Sequence, residues 1–531
     1  MNGSRDRVAM SSTHNSLSKE ASVTFADLPD RQLDRLSCIH SLSGRKLSHW
    51  CEELNVLNTQ VSGPMLITVF QELAAVRLTL DEVYDRYLIL KPTLGRVHQA
   101  IEDLYTQKRL YLTSEARRAM DLAHAVDRAV ILLLKSLLMD STNLKQDDRA
   151  RKQMAMIGGA LYMHMAAIYR RLCEFSIPLP KGFWRECHGI YWFLVEHKAH
   201  AIEYKQSDFS AYPSNLRPDY IYKALIMSSI IDFSRYDRSL QCDLWYLMVE
   251  LARGVNISQQ RLLDGLFSVV LTEDLSHVPV RAIDEHDGLA VVHLNLTDAV
   301  NRLDHAMEYD NEHKITQNKA LSRLFDEFTS LFTIERFRKQ KRQNLELRTY
   351  GYFGLHQIHL FLRSTLNQGD HDQSADDIHY ESAVSSKAAA QTLVVKDESD
   401  SGFRLESVAK HSVLIESGDL VYLKSRSLEA LCTVRWMRLQ PTGTYLIGVE
   451  KLAAELEPIE FAMMADGVLG EYEKAIRLID NDLSGEKLTV LTRMALTKDD
   501  ILTVRDNGRQ ILRVVVEAHW LVSGYVKMTL K

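Results

Sequence analysis

Between Gly63 and Leu90, apolar side chains recur at Leu66, Val69, Phe70, Leu73, Val76, Leu80, Val83, Tyr84, Tyr87 and Leu88. The spacing is that of one helix face turned to a core. Ser62 can cap this segment, Pro64 suits a first turn and Pro92 closes it, so the pattern predicts one helix over 63–90. Similar stripes run through Glu115–Met139, Arg151–Phe175, Phe183–Tyr204 and Pro218–Ala252, separated by short polar breaks. Long helices with short connections predict an all-helical domain over residues 26–258, built as a bundle or a stack of helical hairpins. No fixed repeat period runs through it. Residues 1–25 are polar and rich in Ser and predict a disordered tail.

After Gln260 the pattern changes. Leu266–Leu271 and Ala290–Leu296 are short β-branched runs, and helical spacing returns at Asp298–Met307 and Lys319–Phe332. Residues 259–335 therefore read as a mixed connector of short strands and helices. An alternating stretch, Leu345–Tyr352, predicts a strand, and Leu355–Leu362 a short helix. Residues 366–400 are polar and read as a linker, so an insertion is expected over about 355–400. From Gly402 onward, "GDLVYLKS" (418–425), "ALCTVRWMRL" (430–439), "GTYLIGVEKL" (443–452), "EKLTVLTR" (486–493), "DILTVRDNG" (500–508) and "LRVVVEAHW" (512–520) have strand composition with turn signals between them. Short strands at this spacing predict a small antiparallel barrel or two. The expected fold class is α+β and multidomain, with a large all-α region followed by a β-barrel module over 336–531.

Composition narrows the function. A chain of 531 residues exceeds one core, and about two to four domains are expected. The net charge of −6 and pI of about 6.4 do not favour nucleic acid or an anionic membrane, so any anion site must be local. The apolar run Ala125–Met139 carries Asp127, Arg128 and Lys135 and is too short and too charged to insert in a bilayer. Six scattered cysteines and an N-terminus without an apolar signal region suit a cytoplasmic protein. His188, His197 and His200 are predicted on one helix, His356 and His359 on another, and His371–His379 in the linker. None has a metal-ligand spacing. The paired glycines of "MIGGALYM" (156–163) sit inside a helix stripe without a following Lys-Ser/Thr, which fits close helix packing. No nucleophile elbow or cysteine–histidine pattern is present, and nothing in the chain reads as an enzyme.

One local feature could hold an anion. "RKQKR" (338–342) places four cationic side chains among five residues, just before the alternating strand. On composition alone it reads rather as a solvated helix end that complements a helix dipole. Trp436 fits half-buried strand packing, Arg435 could snorkel across it, and Gly443 and Gly448 fit turn or bulge positions.

The order Gly418-Asp419-x-Val421, then Val434-Arg435-Trp436, then Gly448-Val449-Glu450 and Leu452 resembles PilZ domains. These are small bacterial β-barrels, many of which bind cyclic di-GMP. The whole chain also resembles longer bacterial members in which a helical region precedes the barrel. The resemblance implies two binding motifs, Arg-x-x-x-Arg before the barrel and Asp/Asn-x-Ser-x-x-Gly on an early strand. Arg338 and Arg342 occupy the first, and two guanidiniums four residues apart suit a ligand with two phosphates. For the second, the expected segment is Leu405–Lys410, which keeps Ser407 but has Leu405 where a base-reading carboxylate or amide belongs and Lys410 where Gly belongs. Lys341, Lys410 and Arg435 are secondary candidates. No cofactor is expected beyond this ligand.

Two functions follow. One is a non-enzymatic cytoplasmic signalling adaptor that responds to cyclic di-GMP and regulates a protein partner through its helical domain. The other is a nucleotide-blind scaffold of the same fold that docks proteins, with type IV pilus, flagellar or motility machinery implied by resemblance.

Overall fold

The structure is a computed structural model. It describes residues 25, 27–106, 114–144, 147–205, 215–236, 238–260, 266–280, 290–309, 328–333, 343–368, 390–408, 415, 417–440, 442–453, 455–465, 468–479, 488–492, 500–506, 509–522 and 525–530. Residues 1–24, the RKQKR run and Lys410 lie outside the described residues. The chain divides into two compact units, one running essentially to Phe337 and the other from Arg338 to Lys531, with short pieces near 175–178 and 234–237 exchanged. The fold is α+β, with helices first and antiparallel sheets last.

The first unit is built on helices α1 (Gly44–Glu53), α2 (Thr59–Ala75), α3 (Leu80–Thr106), α4 (Ser114–Ser141), α5 (Asp148–Glu174), α6 (Phe183–Glu196), α7 (Pro218–Ile230), α8 (Arg238–Leu251) and α9 (Thr297–Tyr309). Helix α4 packs on α2, α3 and α5, and α5 passes the contact on to α7 and α8. The helix predicted over 63–90 is two helices. Val76 leaves α2 in extended geometry, and the strand-like segment 76–77 pairs with residues 32–33 through Leu33 N–H to Ala75 O and Arg77 N–H to Leu33 O. This non-local pairing ends α2 although the apolar stripe continues in phase. Pro92 does not close a helix but lies inside α3, and Pro64 sits beyond the first turn of α2. Helix α6 ends at Glu196, so His197 and His200 do not share the helix of His188. The stripe over 218–252 breaks between α7 and α8 at Asp232, whose φ is +54°.

The paired glycines of α5 are sites of close packing. A Cβ on Gly159 would stand 1.7 Å from the Tyr204 hydroxyl, and one on Gly158 2.7 Å from Leu194. Phe25, the last residue of the predicted tail, is buried against Phe193 with ring centroids 4.9 Å apart. The unit is not wholly helical. It includes the short pair β1 (Tyr204–Lys205) and β2 (Asn215–Leu216), and an antiparallel sheet of β3 (Asn256–Ser258), β4 (Phe267–Val270), β5 (Val278–Pro279) and β6 (Val291–Asn295) in the order β3-β6-β4-β5.

The second unit contains a closed six-stranded antiparallel barrel. Its strands are β7 (Gln343–Phe353), β8 (Ala390–Ser399), β9 (Gly402–Ser407), β10 (Leu420–Lys424), β11 (Glu429–Leu439) and β12 (Tyr445–Ala453), in the order β10-β11-β12-β9-β8-β7. Residues 390–399 are thus a barrel strand and not a continuation of the linker. Helix α10 (Leu355–Gln368) follows β7 and is longer than predicted. Leu393, Val395, Phe403, Leu405, Val421, Cys432 and Val449 fill the barrel. The closing pair joins β7 to β10 only over Tyr350–Phe353. Residues 343–349 of β7 have β8 as their sole strand neighbour among the described residues.

A seven-stranded antiparallel sheet completes the unit. It comprises β13 (Leu456–Ala465), β14 (Val468–Leu469), β15 (Glu473–Leu478), β16 (Leu488–Thr492), β17 (Ile501–Asp506), β18 (Arg509–Val522) and β19 (Tyr525–Leu530). Helix α10 is wedged between the two sheets, with Ile358, Phe361 and Leu362 in one apolar cluster with Tyr352, Tyr422, Ile476 and Tyr525.

Candidate functional site

The predicted strand at 345–352 begins earlier, at Gln343, the residue directly after the arginine run. Its first two rungs pair with β8, Gln343 opposite Glu398 and Asn344 opposite Asp397. The ladder then slips before Leu347 meets Val395. On its other edge β8 slips at the same level, between Val395↔Leu405 and Asp397↔Arg404. Two bulges side by side spread the strands, as bulges at barrel rims do. The result is an open cavity of about 340 Å³ lined by Asn344, Leu345, Glu346, Lys396 and Arg404.

The cavity wall is charged and internally paired. Lys396 Nζ lies 3.0 Å from Glu406 and 3.4 Å from Glu346. Hydrogen bonding to Glu406 raises the Lys396 pKa. Arg404 Nη2 donates to Asp397 Oδ2 at 2.8 Å, directly across the hairpin. Lys451 Nζ is 2.8 Å from Glu398 and 4.4 Å above the Phe403 ring.

The β8–β9 hairpin carries a motif that the sequence contained outside the expected segment. Asp397-Glu398-Ser399-Asp400-Ser401-Gly402 meets the Asp-x-Ser-x-x-Gly spacing in full. It was concealed because "KDESDSG" reads as polar linker, and only the Leu393/Val395 alternation before it signals a strand. Each of the three residues also has a structural duty. Asp397 is buried against Arg404, and Ser399 Oγ donates to Gly402 O at 3.2 Å. A Cβ on Gly402 would stand 2.0 Å from Val449 O, so the close approach of β12 requires glycine there.

The expected second segment is placed differently. Leu405 points into the barrel core. Ser407 is buried, and its Oγ accepts the Tyr445 N–H at 2.8 Å, which satisfies the start of β12. Arg435 is exposed on β11, paired with Glu450 rather than laid across Trp436, and β11 does not line the cavity. Trp436 is half-buried and covers Gly448, where a Cβ would meet the indole at 2.1 Å. Arg338, Lys341, Arg342 and Lys410 lie outside the described residues. Chain connectivity alone ties Arg342 to Gln343, with consecutive Cα atoms about 3.8 Å apart.

Among the described residues no group of three or more His, Cys, Asp and Glu side chains could hold a metal ion, and no helix is long and apolar enough to cross a membrane.

Residues 45–261, which span α1 to α8 and β3, match the family described as the cyclic-di-GMP receptor FimW, N-terminal domain. The helical part of the first unit is therefore similar to a domain of a nucleotide receptor. The match stops short of the barrel. No curated protein matches the chain.

Proposed function

We propose that the chain is a non-enzymatic cytoplasmic signalling adaptor whose C-terminal unit is a PilZ-like receptor for cyclic di-GMP. The ligand sits between Arg338 and Arg342 and the bulged mouth formed by β7, β8 and β9. The observation that carries this is the register of β7: the residue following the arginine run lies opposite Glu398, inside the Asp397–Gly402 motif. The strand that follows the first motif is thus paired with the strand that carries the second, although more than fifty residues separate the two motifs in sequence. The similarity of residues 45–261 to a cyclic-di-GMP receptor domain supports the same ligand class. Each arginine would give charge-assisted, bidentate phosphate contacts of about 1.5–3 kcal/mol. Engagement of the two arginines by the ligand then changes what the chain presents to a protein partner.

Isothermal titration with cyclic di-GMP should give micromolar or tighter binding. Arg338→Ala and Arg342→Ala should each weaken it at least about tenfold. No heat at high protein concentration rejects the proposal.

A second function, the nucleotide-blind scaffold, is favoured by one observation: Asp397, Ser399 and Gly402 are all engaged in the hairpin's own contacts. Capture of a stable partner that is indifferent to added nucleotide, together with a silent titration, would select it. Motility machinery remains a partner class suggested by resemblance alone.

A further inference from the structure

We infer that the seven-stranded sheet holds a second copy of the same barrel, and that the wall matching the cavity of the first has become a seat for helix α10. The inference goes beyond the receptor function and does not depend on it.

Strand β13 pairs with β17 as well as with β15, from Glu460↔Arg505 to Met463↔Leu502. Six of the seven strands therefore close, in the order β17-β18-β19-β16-β15-β13. Strand for strand, this is the order of the first barrel, β10-β11-β12-β9-β8-β7. The registers agree as well. Tyr350↔Lys424 corresponds to Glu460↔Arg505, Val394↔Glu406 to Ile476↔Leu491, and Leu405↔Ile447 to Val490↔Met528. Both barrels slip at the same rung, between Val434 and Trp436 in one and between Val516 and Ala518 in the other. The inward residues correspond too: Leu393 with Ala475, Leu405 with Val490 and Val421 with Leu502.

This correspondence reveals a change on one wall. In the first barrel, Glu346 and Lys396 line the open cavity, and Glu406 holds Lys396 beside it. The positions that match these three by register are Leu456, Leu478 and Leu491. The two slips that open the first barrel at this level have no counterpart among the described residues of β13, β15 and β16, and Leu456 faces Leu478 directly. Leu478 and Leu491 are buried, and Leu456 packs beside them. Outward leucines on a barrel need an apolar cover. Helix α10 supplies it with Ile358, Phe361 and Leu362, spaced as one helix face. Polar groups fix the helix at the same place. His359 Nε2 donates to Ile459 O at 3.1 Å, on the part of β13 that pairs with β15 alone. Arg363 joins Arg505 on Glu460, at the first rung of the closing seam. The same wall thus faces solvent as a charged cavity in one barrel and holds an amphipathic helix in the other.

Hydrogen–deuterium exchange on the full chain tests the seat. Leu478→Lys together with Leu491→Glu gives the second barrel the pair that Lys396 and Glu406 make in the first. The amides of α10 should then exchange about tenfold faster, with β17 and β19 at the parent rate. Lys396→Leu, the reverse change in the first barrel, should leave α10 at the parent rate. Unchanged protection of α10 in the double variant overturns the seat. So does acceleration spread evenly over both barrels, which would make α10 one part of a common core. Should that variant not fold, His359→Ala with Arg363→Ala removes only the polar grips and should speed exchange in α10 about threefold. No change there also overturns the inference. No nucleotide enters these measurements, so a silent titration with cyclic di-GMP removes the receptor function and leaves the seat standing, while an unmoved α10 does the reverse.

Discussion

Asp127 has no solvent exposure, yet it sits among α3, α4 and α5 as the hub of a charged cluster. Arg171 Nη2 and His164 Nδ1 each approach it at 2.8 Å, and His98 Nε2 lies 3.5 Å away. Burial alone would raise its pKa, but His98, Arg171 and His164 outweigh burial and hold the carboxyl well below the usual carboxylate range. Removing one member of a buried set strands the others, and Arg171 is nearly as buried as its partner. Asp127→Ala should therefore destabilise the protein by about 3–5 kcal/mol in urea titrations. A loss below about 1 kcal/mol would mean that the cluster is already solvated. The cluster explains why a charged residue interrupts the most apolar run of the sequence.

At the level of elements, the helices announced themselves where a local stripe coincided with a local stop. Helices α4 and α5 fall within a few residues of their predicted bounds. The α2–α3 break did not, because it depends on pairing with residues 32–33, which no window on 63–90 contains. Strand β8 was hidden for a different reason. Lys396, Asp397, Glu398 and Ser399 are polar in every frame, and Asp397 and Ser399 are buried by pairing rather than by apolarity. One half of the proposed site is RKQKR, which the sequence displays plainly but which lies outside the described residues. The Asp397–Gly402 spacing that forms the other half of the proposal is obscured by that polarity, whereas Ser407 stands out as a serine on an apolar strand. The hairpin gives a direct check. Gly402→Ala drives a methyl group onto Val449 O, separating β9 from β12, and should cost about 1–3 kcal/mol. A crystal structure or strand-specific NMR contacts showing an undisturbed β9–β12 ladder would contradict this.

For the molecule as a whole, two histidines tie stability to pH. His98 and His188 are each pushed down to about 4, chiefly by burial. In the core, His188 Nε2 donates to Leu275 O at 2.8 Å, leaving Nδ1 to accept the Tyr222 hydroxyl at 2.9 Å. Both rings are neutral when folded and protonate at about 6.5 when unfolded. Their contribution is complete above about 6.5 and is lost as the pH falls toward about 4. The melting temperature of the helical unit should thus be flat from pH 7 to 8 and decline below about 6.5, a slope that His98→Gln reduces. An unchanged melting temperature at pH 5 would count against neutral burial. The half-paired strand β7 has a consequence of its own. Residues 350–353 are held between two neighbours, whereas 343–349 have one. In a deuterium-uptake time course, a single continuous strand should split into a slow C-terminal end and a fast N-terminal end. The fast end is the one that the arginine run leads into, so a nucleotide anchored there should erase the gradient.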